Sequence, residues 1–227
     1  MLRAVLFDVD FTIAKPGPDL GPEGYRRLGE RFGLALDPSR YDESRITAIG
    51  ELKRHPELDH DEQIWIEFTA GIVRAMGGSG EAVRPCAAAM VAAWEHSDNF
   101  ELFEDVLPVL AELRRHGLKL GLVSNTSRDL EHFVAHHALD VDAAVSSGRF
   151  GKTKPHPSIF EHVLGRLGVR AADAAMVGDS LDDDVEGARS LGMRAFLLDR
   201  EGRFPEVDGR LTDLLALPAA LGLVARA

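Results

Sequence analysis

Short apolar runs that end in polar turns recur along this chain and alternate with helical patterns. Ala4–Phe7 is such a run, and residues 118–123, 174–177 and 195–198 repeat it. Each run has the length and composition of a buried strand. Strands that alternate with helices predict a parallel sheet covered on both faces, and therefore a doubly wound, Rossmann-like α/β fold. In such a sheet, ligands bind beyond the carboxyl ends of the strands.

The predicted helices show as apolar residues that recur at helical spacing. Gly117, Gly168 and Gly192 follow three such patterns and are expected to end the helices, because glycine readily adopts the left-handed conformation found just past a helix. The apolar faces comprise Val106, Leu110 and Leu113; Leu130, Phe133, Val134 and Ala138; and Ile159, Phe160, Val163, Leu164 and Leu167.

The stretch over residues 15–100 departs from this alternation, because it contains helical spacing but no convincing strand. We therefore predict one domain of residues 1–14 and 101–227 that contains the sheet, with an all-helical domain of residues 15–100 inserted after the first strand. Pro16-Gly17-Pro18 is the expected hinge, and the return crossing is expected near Asn99. The helical spacings of the insertion are those of Tyr25, Leu28 and Phe32; of Trp65, Phe68, Ile72 and Met76; and of Ala87, Met90, Val91 and Trp94, with Gly77-Gly78-Ser79-Gly80 as a flexible link.

Composition limits the partners and the environment of the protein. The formal net charge of -11 repels nucleic acid and anionic membrane surfaces, but it permits a small anionic substrate where the site carries its own cation. No apolar run approaches the ~20 residues of a membrane span. The one cysteine, Cys86, cannot form an internal disulfide, and the N-terminus runs directly into the first strand without a signal-peptide pattern. We therefore expect a cytoplasmic protein in which Cys86 is inert.

Four polar clusters fall at the ends of predicted strands or just before a predicted helix. A parallel sheet brings strand ends together, so Asp8, Asp10 and Asp179 are expected to crowd within a few ångströms. Like charges this close raise one another's pKa or require a counter-cation. Oxygen ligands alone favour a hard ion, and Mg²⁺ is the usual one where a substrate phosphate completes the shell. The clusters are Asp8-Val9-Asp10-Phe11-Thr12, Ser124-Asn125-Thr126, Lys154 within Gly151-Lys152-Thr153-Lys154-Pro155, and Gly178-Asp179-Ser180-Leu181-Asp182-Asp183-Asp184.

Taken in order, the four clusters resemble the motifs of the haloacid dehalogenase-like (HAD) hydrolase superfamily. The resemblance rests on Asp-x-Asp-x-Thr after the first strand, Ser-Asn after a second strand, Lys-Pro-x-Pro, and Gly-Asp-Ser-Leu-x-x-Asp-Val-x-Gly-Ala, and it spans residues 8 to 188. Each motif alone is weak, whereas four in order, three at predicted strand ends and one before a predicted helix, form a strong joint signal. The helical insertion resembles the type-one cap domain of this superfamily, which implies that residues 15–100 form a helical cap domain and residues 1–14 and 101–227 the catalytic core domain.

The resemblance implies a Mg²⁺-dependent phosphatase that acts on a small phosphorylated metabolite through an aspartyl-phosphate. Asp8 would be the nucleophile, and Asp10 would protonate the leaving oxygen and then activate water. Ser124 would hydrogen-bond a phosphate oxygen, and Lys154 would steady both Asp8 and the transferred group. The implied substrate-binding residues are Thr12, Ser124, Asn125 and Lys154, and the implied metal-binding residues are Asp8, Asp10 through its backbone carbonyl, Asp179 and Asp184.

Three positions refine what the resemblance implies. Asp10 argues for phosphoester chemistry, because family members that displace halide need no acid two residues after the nucleophile, whereas an alkoxide leaving group needs one. Between Asp183 and Asp184, the family pattern aligns Asp184 with the second acid, and direct or water-mediated contact stays open. Phe11 stands where the family most often has glycine, and a phenylalanine is expected to bar the left-handed conformations that glycine adopts at low cost.

Several of these residues also fit structural roles. Ser124-Asn125-Thr126 is expected to cap the helix that begins near Leu130 in addition to its role at the site, and at least one acid of residues 182–184 fits a solvated turn. His132 and His136 have the i, i+4 spacing of a zinc pair, but no third ligand is apparent, so a solvated helix face is favoured. The aromatic residues in the insertion are expected to pack between its helices and not to contact substrate. They are Tyr25, Phe32, Trp65, Phe68 and Trp94.

Three alternatives to a phosphatase stay open at this point. A phosphomutase of the same superfamily would use the same residues but return the phosphoryl group to the substrate. A phosphonate hydrolase would need a cap lysine for a Schiff base, for which Lys53 is the candidate. A phospho-accepting signalling switch is less favoured, because it is a shorter module with a different spacing of acids. Oligomeric state and substrate identity also stay open, and the charged candidates for substrate selection are Asp42, Arg45, Lys53, Arg54, His55 and His60.

Overall fold

The computed structural model describes residues 1–52 and 54–223, which form two compact units. One unit comprises Met1–Lys15 and the chain from Leu102 onward, and the other comprises Pro16–Glu101. Each boundary lies one residue beyond the position expected from the sequence. Lys53, on which the phosphonate-hydrolase alternative depends, lies outside the described residues.

A parallel sheet of five strands forms the centre of the first unit, as far as the structure describes it. The strands follow the order β5-β4-β1-β6-β7, with Ala4 of β1 opposite Lys119 of β4 on one side and Ala174 of β6 on the other. β2 and β3 pair separately, at the two places where the chain passes between the units. The strands are β1 (Ala4–Phe7), β2 (Ala14–Pro16), β3 (Phe100–Leu102), β4 (Lys119–Ser124), β5 (Ala143–Ser146), β6 (Ala174–Gly178) and β7 (Arg194–Leu197).

Helices connect the parallel strands and flank the sheet, which confirms the predicted doubly wound α/β class. None of the described helices has the length and hydrophobicity needed to cross a bilayer. The helices of the inserted unit are α1 (Pro22–Arg31), α2 (Tyr41–Gly50), α3 (Glu62–Ala75) and α4 (Val83–Trp94). Those of the sheet unit are α5 (Val106–Arg115), α6 (Leu130–His136), α7 (Ser147–Phe150), α8 (Pro157–Leu167), α9 (Gly187–Ser190) and α10 (Leu217–Ala220).

The central strands lie close to their predicted positions. β1 matches its prediction, whereas β4 begins one residue later than predicted because the Leu118 amide bonds back to the carbonyl of Leu113 in α5. The edge strand β5 was not predicted, because two alanines and a serine carry little of the apolar, β-branched signal that marks a strand. The predicted face of α8 is buried in the core, where it packs with Leu6, Val123 and Met176.

The ends of the predicted helices agree with the sequence except after α6. Gly117, Gly168 and Gly192 have φ of +77°, +63° and +79°, the left-handed conformation expected there. Ala138 has φ +51°, so it does not extend the helical face of α6 as predicted. Leu139 is the buried residue at this point instead.

The N-terminal cap of α6 also differs from the prediction. Asp129 accepts hydrogen bonds from the amides of Glu131 at 2.9 Å and His132 at 3.2 Å. The expected cap at residues 124–126 is wrong, because an aspartate directly before the first turn reaches those amides and an earlier side chain does not. Residues 124–126 instead form the end of β4 and the start of the turn that follows it.

The inserted unit is helical, as predicted, but its aromatic residues are less buried than expected. Tyr25 is buried, whereas Trp65 and Phe68 are half-buried and meet edge-on with ring centroids 6.1 Å apart. The buried face of α3 instead uses Ile66, Thr69, Ala70, Ile72 and Val73. The sequence did not predict α2, because two of its apolar residues, Ile46 and Ile49, are exposed. The helix therefore lacks the amphipathic pattern by which the other helices were located.

We expect Ala138→Gly to raise the free energy of unfolding by about 0.5–1 kcal/mol. Left-handed backbone costs a non-glycine residue about 1–2 kcal/mol, and the freedom of glycine in the unfolded chain offsets part of the gain. The matched control is Ala135→Gly, because Ala135 is exposed inside α6, where glycine lowers stability by up to ~1 kcal/mol. Chemical denaturation measures both changes, and destabilisation by both substitutions would contradict the strain at Ala138.

Candidate active site

The ammonium group of Lys154 lies between two carboxylates at the carboxyl edge of the sheet. Lys154 Nζ donates to Asp8 Oδ1 at 2.5 Å and to Asp184 Oδ1 at 2.6 Å. All three residues are buried, with Lys154 only 2% and Asp184 only 1% exposed. Burial favours the neutral amine, but the two carboxylates raise the pKa of Lys154 above its ordinary value. Lys154 therefore stays charged and holds the two acids in place.

The site residues lie close together because several of them follow adjacent parallel strands, whose carboxyl ends meet at one edge of the sheet. Asp8 directly follows β1, Ser124 is the last residue of β4, and Asp179 directly follows β6. Lys154 comes from the loop before α8, and Asn125 fixes its backbone. The Lys154 amide donates to Asn125 Oδ1 at 2.7 Å, and Asn125 Nδ2 donates to the Lys154 carbonyl at 3.0 Å. Asn125, predicted to bind substrate, thus positions the lysine.

Three carboxylates form a compact group of oxygen donors. One oxygen from each of Asp8, Asp179 and Asp184 lies within 4.8 Å of the others. Burial raises the pKa of Asp179, and the negative charges of Asp8 and Asp184 raise it further. Burial raises the pKa of Asp184 as well, with Lys154 opposing and Asp8 adding to the rise. An oxygen-only group under such repulsion fits a hard divalent cation such as Mg²⁺, which would relieve it.

The membership of this group differs from the expectation at one position. The predicted strand ends placed the Asp10 carboxylate with those of Asp8 and Asp179, whereas the third carboxylate of the group is that of Asp184, which the family pattern implies as a metal ligand. Of its neighbours, Asp182 is exposed and Asp183 is half-buried near Asn125. The turn over Leu181–Glu186 is π-helical, and its path points the Asp184 carboxylate back toward β6.

A glycine at the end of β6 makes room for the Asp184 carboxylate. Asp184 Oδ2 accepts a hydrogen bond from the Ser180 amide at 3.1 Å. A Cβ atom on Gly178 would lie 2.1 Å from this oxygen, closer than any side chain allows. The Gly-Asp pair of the sequence pattern therefore has a steric reason, because the strand end must let a buried acid approach its backbone.

The Asp10 carboxylate is held by an arginine instead of joining the three acids. Arg128 Nη2 donates to Asp10 Oδ1 at 2.7 Å and to Oδ2 at 2.9 Å. Burial raises the pKa of Asp10, with Arg128 opposing and Asp8 adding to the rise. Sequence reasoning missed Arg128, since an arginine between a strand end and a helix start has the pattern of a solvated turn.

The haloacid dehalogenase-like hydrolase family model matches residues 2–192, which include every acid named above and Lys154. The chain is a haloacid dehalogenase-like hydrolase. This confirms the family that the four sequence motifs resemble.

Individual relatives cover nearly the whole chain. The glyceraldehyde 3-phosphate phosphatase of Methanopyrus kandleri is 32% identical over 94% of this chain and 90% of that protein. Haloacid dehalogenase-like hydrolase domain-containing protein 3 of Danio rerio is 32% identical over 94% of this chain and 89% of that protein. A solved HAD phosphatase from Thermococcus onnurineus, 27% identical, superposes with a TM-score of 0.66 over 97% of this chain and 98% of that one. The predicted enzyme class, a phosphoric monoester hydrolase of this family, is thereby confirmed.

Two hydroxyl groups lie buried at the same edge of this hydrolase. Ser124 is 2% exposed, and Thr12 is fully buried. Among the described residues, Thr12 Oγ1 has no hydrogen-bond partner. A buried hydroxyl without a partner carries an uncompensated desolvation cost, so Thr12 Oγ1 has an unused hydrogen-bonding capacity next to the acids.

Phe11, beside these groups, adopts the conformation that its side chain was expected to bar. Its φ is +64°, in the left-handed region, so that expectation is wrong. The surrounding turn holds it there, because the Phe11 amide donates to the Ala14 carbonyl at 2.7 Å and the Val9 carbonyl accepts from Ile13 and Ala14 at 2.9 Å. These bonds offset a strain of about 1–2 kcal/mol.

The loop after β7 brings two further arginines to the site, and the sequence pattern gave no sign of them. Arg203 Nη2 donates to Asp179 Oδ2 at 2.6 Å. The buried Asp199 carboxylate shapes this loop by accepting from the Arg203 amide at 2.7 Å. Arg200 donates to the Thr12 carbonyl through Nε at 3.1 Å and Nη2 at 3.0 Å, which supports the turn that carries the first two acids.

The other residues considered as sites lie apart from this edge. His132 and His136 are exposed with their rings 6.3 Å apart, and within the described part of the chain they join no group of three metal-binding side chains. Cys86 is buried in the inserted unit, and burial raises the pKa of its thiol.

We expect Gly178→Ala to lower the free energy of unfolding by about 1–3 kcal/mol, because the new methyl group displaces Asp184 from Lys154 and the Ser180 amide. Gly165→Ala is the matched control. Nothing lies within 4 Å of a Cβ at Gly165, and alanine inside α8 is expected to add up to ~1 kcal/mol. Thermal or chemical denaturation measures both changes. Equal stability of Gly178→Ala and the wild-type protein would contradict the close approach of Asp184.

Proposed function

We propose that this hydrolase is a Mg²⁺-dependent phosphatase that passes the phosphoryl group of a small metabolite to Asp8 and then to water. The observation that carries the proposal is the Lys154 ammonium fixed between Asp8 and Asp184, with Asp179 completing an oxygen-only group. A buried lysine next to a divalent-ion site complements the negative charge of a phosphate ester.

In the proposed first step, a carboxylate oxygen of Asp8 attacks phosphorus, and the bond from phosphorus to the leaving oxygen breaks. Asp10 gives its proton to that oxygen, so the alcohol leaves in neutral form. The Lys154 ammonium holds Asp8 in position and offsets charge on the phosphoryl oxygens. Asp8, Asp179 and Asp184, with the backbone carbonyl of Asp10, would hold Mg²⁺, which when bound neutralises phosphoryl oxygens.

In the proposed second step, a water molecule attacks the phosphorus of the aspartyl-phosphate. Asp10, now a carboxylate, takes a proton from that water while the bond from phosphorus to the Asp8 oxygen breaks. Inorganic phosphate leaves, and both acids return to their starting forms. The hydroxyls of Ser124 and Thr12 would hydrogen-bond the phosphoryl oxygens during both steps.

The proposed substrate is a small phosphorylated metabolite and not a nucleic acid. The net charge of -11 disfavours a polyanion, whereas Lys154 together with bound Mg²⁺ would complement a single phosphate group. The relative in Methanopyrus kandleri is a glyceraldehyde 3-phosphate phosphatase, which supports a substrate of that kind. We assign substrate selection to the inserted unit, whose charged candidates are Asp42, Arg45, Arg54, His55 and His60.

Asp8→Asn is expected to reduce phosphate release by at least about 10³-fold, because an amide cannot form the acyl-phosphate bond. Release of phosphate from a panel of phosphorylated metabolites measures the effect, and trapping of the phosphorylated protein in acid tests the intermediate. Asp182→Asn is the matched control, since Asp182 is exposed and outside the carboxylate group. Retained turnover in Asp8→Asn would remove Asp8 as the nucleophile.

Removal of divalent cations by a chelator is expected to stop turnover, and added Mg²⁺ is expected to restore it. Asp179→Asn is expected to weaken Mg²⁺ binding by about tenfold or more, because it removes a charged oxygen donor. Isothermal titration calorimetry with Mg²⁺ measures the affinity, again with Asp182→Asn as the control. Unchanged affinity in Asp179→Asn would place the ion elsewhere.

A further inference from the structure

The most deeply buried arginine described in the structure is bound to the carboxylate of Asp10. Arg128 is 1% exposed, and its Nη2 reaches both Asp10 oxygens, at 2.7 and 2.9 Å. Its guanidinium also lies over the ring of Phe133 in α6, 5.3 Å from the ring centroid. Burial of an arginine is costly unless its charge is paired, and here the Asp10 carboxylate provides the paired charge.

The contact fixes the direction of the Asp10 side chain. Asp10 lies in the turn after β1, while Arg128 is anchored before α6, where its amide donates to Thr126 Oγ1 at 3.2 Å. The two residues are thus held by different strands of the same sheet. A planar guanidinium with a fixed position restricts the rotation of a carboxylate more than a solvated contact does.

We propose that Arg128 is a positioning residue that holds the Asp10 carboxyl group in the orientation needed for proton transfer to the leaving oxygen. The inference rests on the proposed function. In the first step, the bond from phosphorus to the leaving oxygen breaks, and the proton of Asp10 passes to that oxygen. The Asp10 carboxylate that results keeps its bond to Arg128, which stays protonated throughout and exchanges no proton.

Leaving-group dependence separates this role from a structural one. A proton donor matters for an alkyl phosphate, whose alkoxide is a poor leaving group, and matters little for p-nitrophenyl phosphate, whose phenolate leaves without a proton. The ratio kcat/KM reports the steps up to formation of the aspartyl-phosphate, so it isolates the role of Asp10 as an acid. A loss of general stability would lower kcat/KM for both substrates alike.

The experiment compares Arg128→Met and Arg128→Lys with the wild-type protein on glycerol phosphate and p-nitrophenyl phosphate. For Arg128→Met, we expect kcat/KM for glycerol phosphate to fall about 10²-fold, while that for p-nitrophenyl phosphate changes less than about threefold. Arg128→Lys keeps the charge but loses the planar guanidinium that lies over Phe133, and it is expected to show a smaller, equally selective loss. Arg149→Met is the matched control, because Arg149 is exposed and does not contact Asp10.

Two further variants keep the test decisive if Arg128→Met does not fold. Asp10→Asn is expected to show the same selective loss, and adding Arg128→Lys to Asp10→Asn is expected to cause no further selective loss, because both act through one carboxyl group. Equal losses on both substrates, no loss, or a gain on glycerol phosphate would overturn the role of Arg128. Failure of the proposed function itself would differ, because Asp8→Asn would then retain the wild-type activity.

Discussion

The buried contact of Lys154 with Asp8 and Asp184 is the interaction on which the rest of the site depends. Two carboxylates at the end of a parallel sheet repel each other, and an ammonium group between them makes their burial tolerable. Loss of one partner from such a buried contact typically costs about 3–5 kcal/mol, because the remaining charge is left uncompensated. The hydrogen bonds from Asn125 fix the backbone of Lys154, and the lack of a side chain at Gly178 leaves room for the Asp184 carboxylate, so both features support this contact.

The four acids at this edge are paired with three cations, and we infer that this imbalance governs the binding of metal and substrate. Lys154 serves Asp8 and Asp184, Arg203 binds Asp179, and Arg128 binds Asp10. The three grouped carboxylates therefore face two cations and keep an excess of negative charge. A phosphate ester would be repelled by that excess, whereas a divalent cation would reverse its sign. Under the proposed function, binding of the metal would therefore favour binding of the substrate at this edge.

The sequence was sufficient for the elements whose signal is local. Apolar runs located β1, β4, β6 and β7 to within one residue, and polar residues after them located Asp8, Ser124 and Asp179 at one edge. The sequence did not predict the ion pairs of Arg128 with Asp10 and of Arg203 with Asp179. Neither arginine differs in its sequence surroundings from a solvated arginine. The left-handed Phe11 was also misjudged, since hydrogen bonds from the surrounding turn override its local preference.

The central claim is that Asp8, Asp179 and Asp184 hold one divalent cation beside a lysine-bound nucleophile. The most direct measurement is a crystal structure of the protein grown with Mn²⁺, a redox-stable substitute for Mg²⁺ with a strong anomalous signal. We predict one anomalous peak within bonding distance of carboxylate oxygens of Asp8 and Asp179 and in direct or water-mediated contact with Asp184, with Lys154 still bound to Asp8. An anomalous peak elsewhere, or none at this edge with Mn²⁺ in excess, would contradict the claim.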